Sequence, residues 1–557
     1  MHLLPTLLFA STLALWAAAG SLPPLPRCAV LWSVVAVVCA AGEILARRDA
    51  TRGWAGRWLP DAGAGFTRAR RVFAVALGVV FLAAFWSWGS QVRGLVGENG
   101  IVPAAAQIGG ATFAQAPTLA WWLPGASGLL TQCWTGALLS IALIAGLCPG
   151  ACCVACWALY LSLMTVGGPF SNFQWDALLL ETAPLAAVWL PWSPRPRWAV
   201  ETRAQQIGRW LVMWLAFRLL LESGVVKLTW DDEAWLNHTA LDHHFQTQPL
   251  PLWTAWHVQQ FTPGLRSAAC WIMYWIEIAL PALLLVPPRW RTTRHLAALS
   301  QIALQAGIAA TGNYTYFNLL TAAVCLPFFD DAFLRWKKTA PTAPAGPRPL
   351  TWALAPAGVI ALASVALTFD GLVDAFGGAA RQQRKFEEMR AEYQRTGKAP
   401  ESGWWRPLRS FNGYGLFRTM TTTRPELIFE GSADGLAWRE YPFPYKPGGI
   451  YRRPALAAPH QPRLDWQLWF AALSAERGQL DGWLGPLMLG LLENKPAITA
   501  LLESNPFSDA PPRYLRLSLY QYRFTRAGES LAAWWHRDFV RVLVTTDTAT
   551  LRRILKK

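Results

Sequence analysis

Across its first 370 residues the chain alternates apolar stretches of roughly 17–25 residues with short connections that gather its positive charge. A helix rises about 1.5 Å per residue, so such a stretch crosses about 30 Å of hydrocarbon, where a backbone must satisfy its own hydrogen bonds. Stretches of this kind lie at 3–19, 28–45, 72–89, 129–147, 151–166, 173–191, 208–226, 268–286, 295–311, 314–329 and 350–369. They predict a polytopic α-helical membrane bundle of about eleven spans. Composition then divides the chain. Residues 1–370 hold 23 Lys/Arg and 16 Asp/Glu, whereas the shorter 371–557 hold 27 and 18. We therefore read 1–370 as a multi-span transmembrane domain and 371–557 as a soluble C-terminal domain.

The charge also gives a handedness. The connection 46–71 carries Arg47, Arg48, Arg52, Arg57, Arg68, Arg70 and Arg71, which marks it as cytoplasmic. Counting alternately, the other cytoplasmic loops hold Arg195, Arg197 and Arg203, then Arg289, Arg291 and Arg294, then Arg335, Lys337, Lys338 and Arg348. The opposite loops are nearly bare, with Arg93, Lys227 and Arg266. This parity places the C-terminal domain outside the cytoplasm. Ala17-Ala18-Ala19 resembles a cleavage site, but the positive n-region of a signal peptide is missing, so the first segment is read as a retained helix. The net charge of +16 is thus topological charge plus a diffusely basic tail. No basic block marks a nucleic-acid footprint.

All nine cysteines fall in or beside apolar segments, and 371–557 has none, so a packed core rather than disulfides must hold that domain. The run Cys148, Cys152, Cys153, Cys156 lies among Ala, Leu and Trp without a charge to stabilise a thiolate, and reads as small buried hydrophobes. His238, Asp242, His243 and His244 share one loop, but the other histidines form no second box, so neither a metal site nor a cofactor is assigned. Charge inside the spans is costly and therefore informative. Arg218 and Glu222, four residues apart, form an intramembrane polar pair, whereas Asp176, Glu181 and Glu277 have no partner on their own segments.

In the tail, 379–396 reads as a polar helix. Residues 425–443 alternate about a Gly431–Gly435 turn as a β-hairpin, and 513–524 as a further strand. Helices are predicted at 464–474, 480–492 and 495–503. The domain reads as α+β, a β-sandwich with helical insertions.

Several blocks then carry a resemblance: Thr239–Pro251 (TALDHHFQTQPLP), Thr311–Leu320 (TGNYTYFNLL), Phe411–Met420 (FNGYGLFRTM) and Ala458–Phe470 (APHQPRLDWQLWF). Gly94–Pro103, Asn172–Glu181, Leu492–Pro496 and Asn505–Phe507 fit the same order. Together they resemble the lipase maturation factor family over about residues 70–540. The resemblance implies a membrane-anchored factor that assists folding of secreted lipase-like clients, held in eukaryotes in the endoplasmic reticulum membrane. Alanine, arginine and tryptophan usage points to a bacterial chain, hence to the cytoplasmic membrane of a bacterium. The expected partners are the lipid bilayer and an immature secreted client. Gln248, Asn313, Tyr314, Asn318, Arg418, His460, Arg463 and Asp465 stand in these blocks as candidate client-binding residues.

A second reading is enzymatic. A multi-span bundle with an extracytoplasmic β-rich domain is also similar in layout to γ-carboxylase-like membrane enzymes acting on a lipid, quinone or peptide. In that case Asp242 or His244 would be a general base, with Glu222 or Glu277 tuned by low dielectric.

Overall fold

The computed structural model describes residues 65–334 and 354–555, apart from 197, 199–200, 286–290, 397–402, 404 and 530–531. The segments expected to span at 3–19 and 28–45 lie outside the described residues.

Among the described residues, ten of the longer helices carry the N-terminal part. They are α1 (Thr67–Val96), α2 (Gly125–Ala145), α3 (Pro149–Val166), α4 (Gln174–Trp189), α5 (Arg203–Thr229), α6 (Ala240–Thr247), α7 (Pro263–Tyr274), α8 (Arg291–Thr311), α9 (Phe317–Val324) and α10 (Leu354–Thr396). Helix α1 packs on α2, then α2 to α5 follow one another as neighbours, and α5 lies along α10. Their apolar side chains form one continuous core that includes Phe81, Phe85, Trp88, Tyr160, Trp175 and Leu215.

Among the described residues, four helices are long and apolar enough to cross a membrane: α1, α2, α3 and the stretch Ala355–Arg395 of α10. The remaining sequence-predicted segments among the described residues are helical but shorter, more polar or broken. Segment 268–286 divides into α7, a π-helical turn at Trp275–Ala279 and a short helix Pro281–Leu284. Pro281 has no N–H to continue the ladder, and the Gln301 amide of α8 donates to the Ile276 carbonyl in the wider turn. Segment 314–329 gives only α9 and a 3-10 turn at Leu326–Phe328.

The C-terminal part is built on one antiparallel sheet, ordered β2-β1-β3-β4, from β1 (Pro425–Ser432), β2 (Arg439–Glu440), β3 (Tyr514–Phe524) and β4 (Trp535–Asp547). Strand β1 pairs with β3 from Pro425–Gln521 to Ser432–Tyr514. The β1–β2 hairpin forms where the alternation predicts it. The Asp434 carboxylate accepts from the Leu436 and Ala437 N–H groups at 2.8 and 2.9 Å, and Gly435 takes φ +81°. Helices α11 (Arg463–Glu476), α12 (Leu484–Leu492) and α13 (Thr548–Leu555) complete the fold. A sandwich requires a second sheet. Here α11 lies against β1 instead, and its Leu464, Leu468, Ala471 and Ala472 fill the core with Leu427, Phe429, Leu515 and Leu517. Among the described residues the part is a single sheet covered by helices.

Candidate functional site

The polar residues singled out from sequence meet along the seam where loops of the C-terminal part enter the bundle. Arg463, the first residue of α11, is fully buried. Its guanidinium donates to both carboxylate oxygens of Asp176 on α4 at 2.9 and 3.0 Å, to Tyr160 Oη at 3.0 Å and to the Phe170 carbonyl at 2.6 Å. It also lies 4.1 Å over the Trp88 ring of α1. Tyr316 Oη donates to the same Asp176 oxygen at 2.6 Å. The Arg463 N–H donates to Gln91 Oε1 at 2.8 Å, the Gln91 amide donates to the Gln461 carbonyl at 2.7 Å, and the Gln461 N–H donates to Ser87 Oγ at 3.0 Å. A bidentate, charge-assisted pair of this kind fixes direction as well as distance. Asp176, isolated on its own segment, is answered by a residue 287 positions away.

The second junction contains the expected pair. Arg218 of α5 bonds Glu181 of α4, lies 3.7 Å from Glu222, and donates to the Asn412 carbonyl at 3.0 Å. Glu181 Oε2 accepts from the Asn412 N–H at 3.0 Å and from Tyr414 Oη at 2.8 Å, while Glu222 Oε2 accepts from the Tyr414 N–H at 2.7 Å. The sequence block 411–420 thus closes over three charges of the bundle.

A third junction uses Asn313. Its amide donates to the Leu250 and Ala455 carbonyls at 3.2 and 2.8 Å, and its oxygen accepts from the Ala457 and Ala458 N–H groups at 2.8 and 3.1 Å. Beside it Tyr314 Oη donates to Gln248 Oε1 at 2.9 Å and lies 3.1 Å from His244 Nε2. Arg424 donates to the Gln246 and Pro249 carbonyls at 2.7 and 2.9 Å. Burial pushes the His244 imidazole down to about 4.

The other sequence candidates sit apart from these junctions. Asp242 is paired with Arg266 and Glu277 with Lys227, both at 2.5 Å. Asp465 accepts from the Tyr445 and Lys446 N–H groups at 2.8 Å, which holds the 445–446 loop; burial pushes its carboxyl up to about 6. His460, pushed down to about 4 by burial and the nearby Arg463, lies near the Tyr445 ring. Asn318 is buried on α9, and Arg418 stacks over Trp230 at 4.7 Å. The four candidates of an enzymatic site therefore fall into four separate networks: Asp242 with Arg266, His244 with Tyr314, Glu222 with Arg218 and Tyr414, Glu277 with Lys227. His238 stacks on Trp271 at 4.1 Å, away from His244. Sequence reasoning missed Ser87, Gln91, Asn412 and Arg424. An arginine in a charge-rich tail looks like any solvated arginine, and no local pattern marks it as a cap for buried carbonyls.

This arrangement holds two bodies in register. Among the described residues its carboxylates and guanidinium groups are paired with one another, with tyrosines and with backbone. An exposed strand edge lies elsewhere, on β4. This strand is at one edge of the sheet, and five consecutive residues, Asp538–Val542, are exposed on both faces, with Phe539 58% and Val542 42% accessible.

Comparison with known proteins finds two family models that match the chain. Residues 68–336 match the model of the lipase maturation factor transmembrane domain and 410–545 that of the lipase maturation factor C-terminal domain. Lipase maturation factor 2 of Homo sapiens is 32% identical over 89% of this chain and 85% of its own length. The Xenopus tropicalis lipase maturation factor 2 is 33% identical, over 85% of the chain and 81% of its own length. Lipase maturation factor 1 of Homo sapiens is 28% identical over 85% and 86%. No solved structure matches the chain.

Proposed function

The chain belongs to the lipase maturation factor family, and from that membership we propose that it is a multi-pass membrane factor that assists maturation of a secreted, lipase-like client. In this reading the client is held on the side where the C-terminal part lies; the loop charges support an orientation with that part outside the cytoplasm, here on the outer face of a bacterial cytoplasmic membrane. The observation that carries client engagement is the exposed edge strand β4. An unpaired edge offers N–H and C=O groups to an extended segment, and Phe539, Val540 and Val542 offer apolar surface, the two things an immature chain has left unsatisfied. Of the sequence candidates, Gln248, Asn313, Tyr314, Arg463 and Asp465 serve this activity by positioning the C-terminal part, in place of direct contact along β4.

The test is site-specific photocrosslinking in the full chain, with a probe at Phe539 or Val542 and a control probe at exposed Arg390, during pulse-labelled synthesis of a secreted lipase. Adducts are expected at 539 and 542 early in the chase and none at 390. Val542→Lys, which blunts the edge, is expected to slow maturation of the lipase. A phosphatase fused after Lys557 is expected to be active. Normal maturation with Phe539→Asp and Val542→Lys combined would remove β4 from the proposal.

A further inference from the structure

A cleft of about 430 Å³ opens between α5, α10 and the 405–418 loop, beside the second junction. Its two sides differ in charge. On one wall Asp370 and Asp374 are neutralised by Arg381 and Lys385, at 2.6–3.0 Å. On the other, Arg406 and Arg418 have no carboxylate partner among the described residues. Arg418 is half-buried, held among the described residues by the Gly415 carbonyl at 3.4 Å and the Trp230 ring, and burial lowers its guanidinium below the ordinary value. A desolvated cation without a counter-ion is a standing demand for an anion.

The cleft is also continuous with an exposed apolar surface. Ala366 on its wall stands one helical turn from Leu362 and Phe369. With Val359, these residues form an exposed apolar stripe along α10, Leu362 being 75% accessible. Only 17% of the apolar stretch of α10 is buried in the protein, and its length and apolar content suit a span of the bilayer. An anion that arrives here attached to acyl chains satisfies the arginines and the stripe together.

We propose that this cleft binds a membrane phospholipid, its phosphate held by Arg406 and Arg418 and its acyl chains laid along Val359, Leu362, Ala366 and Phe369 of α10. The site is independent of client engagement at β4, because neither arginine belongs to the sheet. A lipid seated there would brace α10 against the 405–418 loop, and so against the second junction of the seam.

The experiment uses the full-length protein in detergent and counts retained phosphatidylglycerol by native mass spectrometry, with inorganic phosphate and diacylglycerol as separate competitors. Wild type is expected to retain the lipid against either competitor. Arg406→Gln with Arg418→Gln is expected to weaken retention about tenfold or more, and Arg418→Lys to preserve most of it. Ala366→Trp, which obstructs the cleft and leaves both arginines in place, is expected to weaken retention to a similar extent and covers the case in which the double variant does not fold. Wild-type retention by a folded double variant, or by Ala366→Trp, would overturn the site. Displacement by inorganic phosphate at the lipid's own concentration would overturn the lipid assignment in favour of free phosphate. Lipase maturation is not the readout, so a failure here is distinguishable from a failure at β4.

Discussion

At the scale of single residues, Arg463 and Asp176 bear most on the rest of the molecule. Breaking a buried pair from one side costs about 3–5 kcal/mol, because the charge left behind has no water. Arg463→Met should therefore destabilise the detergent-solubilised protein by about 3 kcal/mol on that account, and adding Asp176→Asn should recover a good part of the loss. Thermal unfolding of the two single variants and the double variant measures this; additive losses would mean that the pair is uncoupled. A second prediction follows from His244 and His460, both pushed down to about 4. The free imidazole titrates near 6.5, so below that pH the unfolded chain binds protons that the fold refuses. Stability is complete above about 6.5 and is lost as pH falls toward 4, by up to about 3 kcal/mol for each imidazole. Asp465, pushed up to about 6, acts in the opposite sense between about 6 and its ordinary 3.9, since there the fold binds the proton first. Two imidazoles outweigh one carboxyl. The melting temperature should drop from pH 7 to pH 5, and His244→Gln with His460→Gln should flatten the slope. At this scale the sequence was readable only locally. The spacing of Arg218 and Glu222 put them on one face, but Glu181 with Asn412 and Asp176 with Arg463 join positions hundreds of residues apart, which no periodicity connects.

At the scale of elements, length and apolar content located the helices well, because a 3.6-residue repeat and an apolar run both depend only on neighbours. They misjudged continuity. The apolar run at 268–286 gave no sign of its π-helical turn, which depends on Gln301 from another helix. The composition change at 370 suggested a boundary, yet the first helical stretch of α10 runs past it to Gly378, and a second continues from there to Thr396. The bend comes at Gly378, whose φ of +55° and ψ of −150° belong to a region that only glycine adopts freely. A Cβ at this position would also lie against the Thr229 carbonyl that ends α5. Gly378→Ala is expected to cost at least about 2 kcal/mol from conformation and clash together. Limited proteolysis should find new cleavage near 378, and an unchanged pattern would show that the bend is permissive. Strand alternation predicted the β1–β2 hairpin with its turn, and β3 as a further strand, but not what covers them. A sheet's inner face asks only for apolar partners, and α11 supplies these as well as a second sheet would.

At the scale of the whole molecule, the two parts separated by composition are not separate in structure. The α11 start, the 411–415 loop and the 455–458 loop all bury polar groups against the bundle, and each bond at these junctions leaves an unsatisfied partner when the parts are divided. An ordinary interdomain surface can be exposed to water at little cost. This one would expose Asp176, Glu181 and Asn313 on one side and the guanidinium of Arg463 with the Leu464 and Trp466 apolar face on the other. Severing the chain in the connection at 397–402 should therefore yield two pieces, 1–396 and 403–557, that do not fold apart. Expressed alone, the second piece is expected to aggregate and the first to be degraded. Expressed together they should assemble and co-purify in detergent, because the junctions and not the connecting peptide hold them. Recovery of a soluble, cooperatively melting 403–557 would show instead that the seam is a docking contact between independent domains. Co-assembly would show that the buried polar junctions themselves hold the C-terminal part on the bundle, so that the position of β4 relative to α4 and α5 is set by Asp176, Glu181 and Asn313 rather than by the connecting peptide.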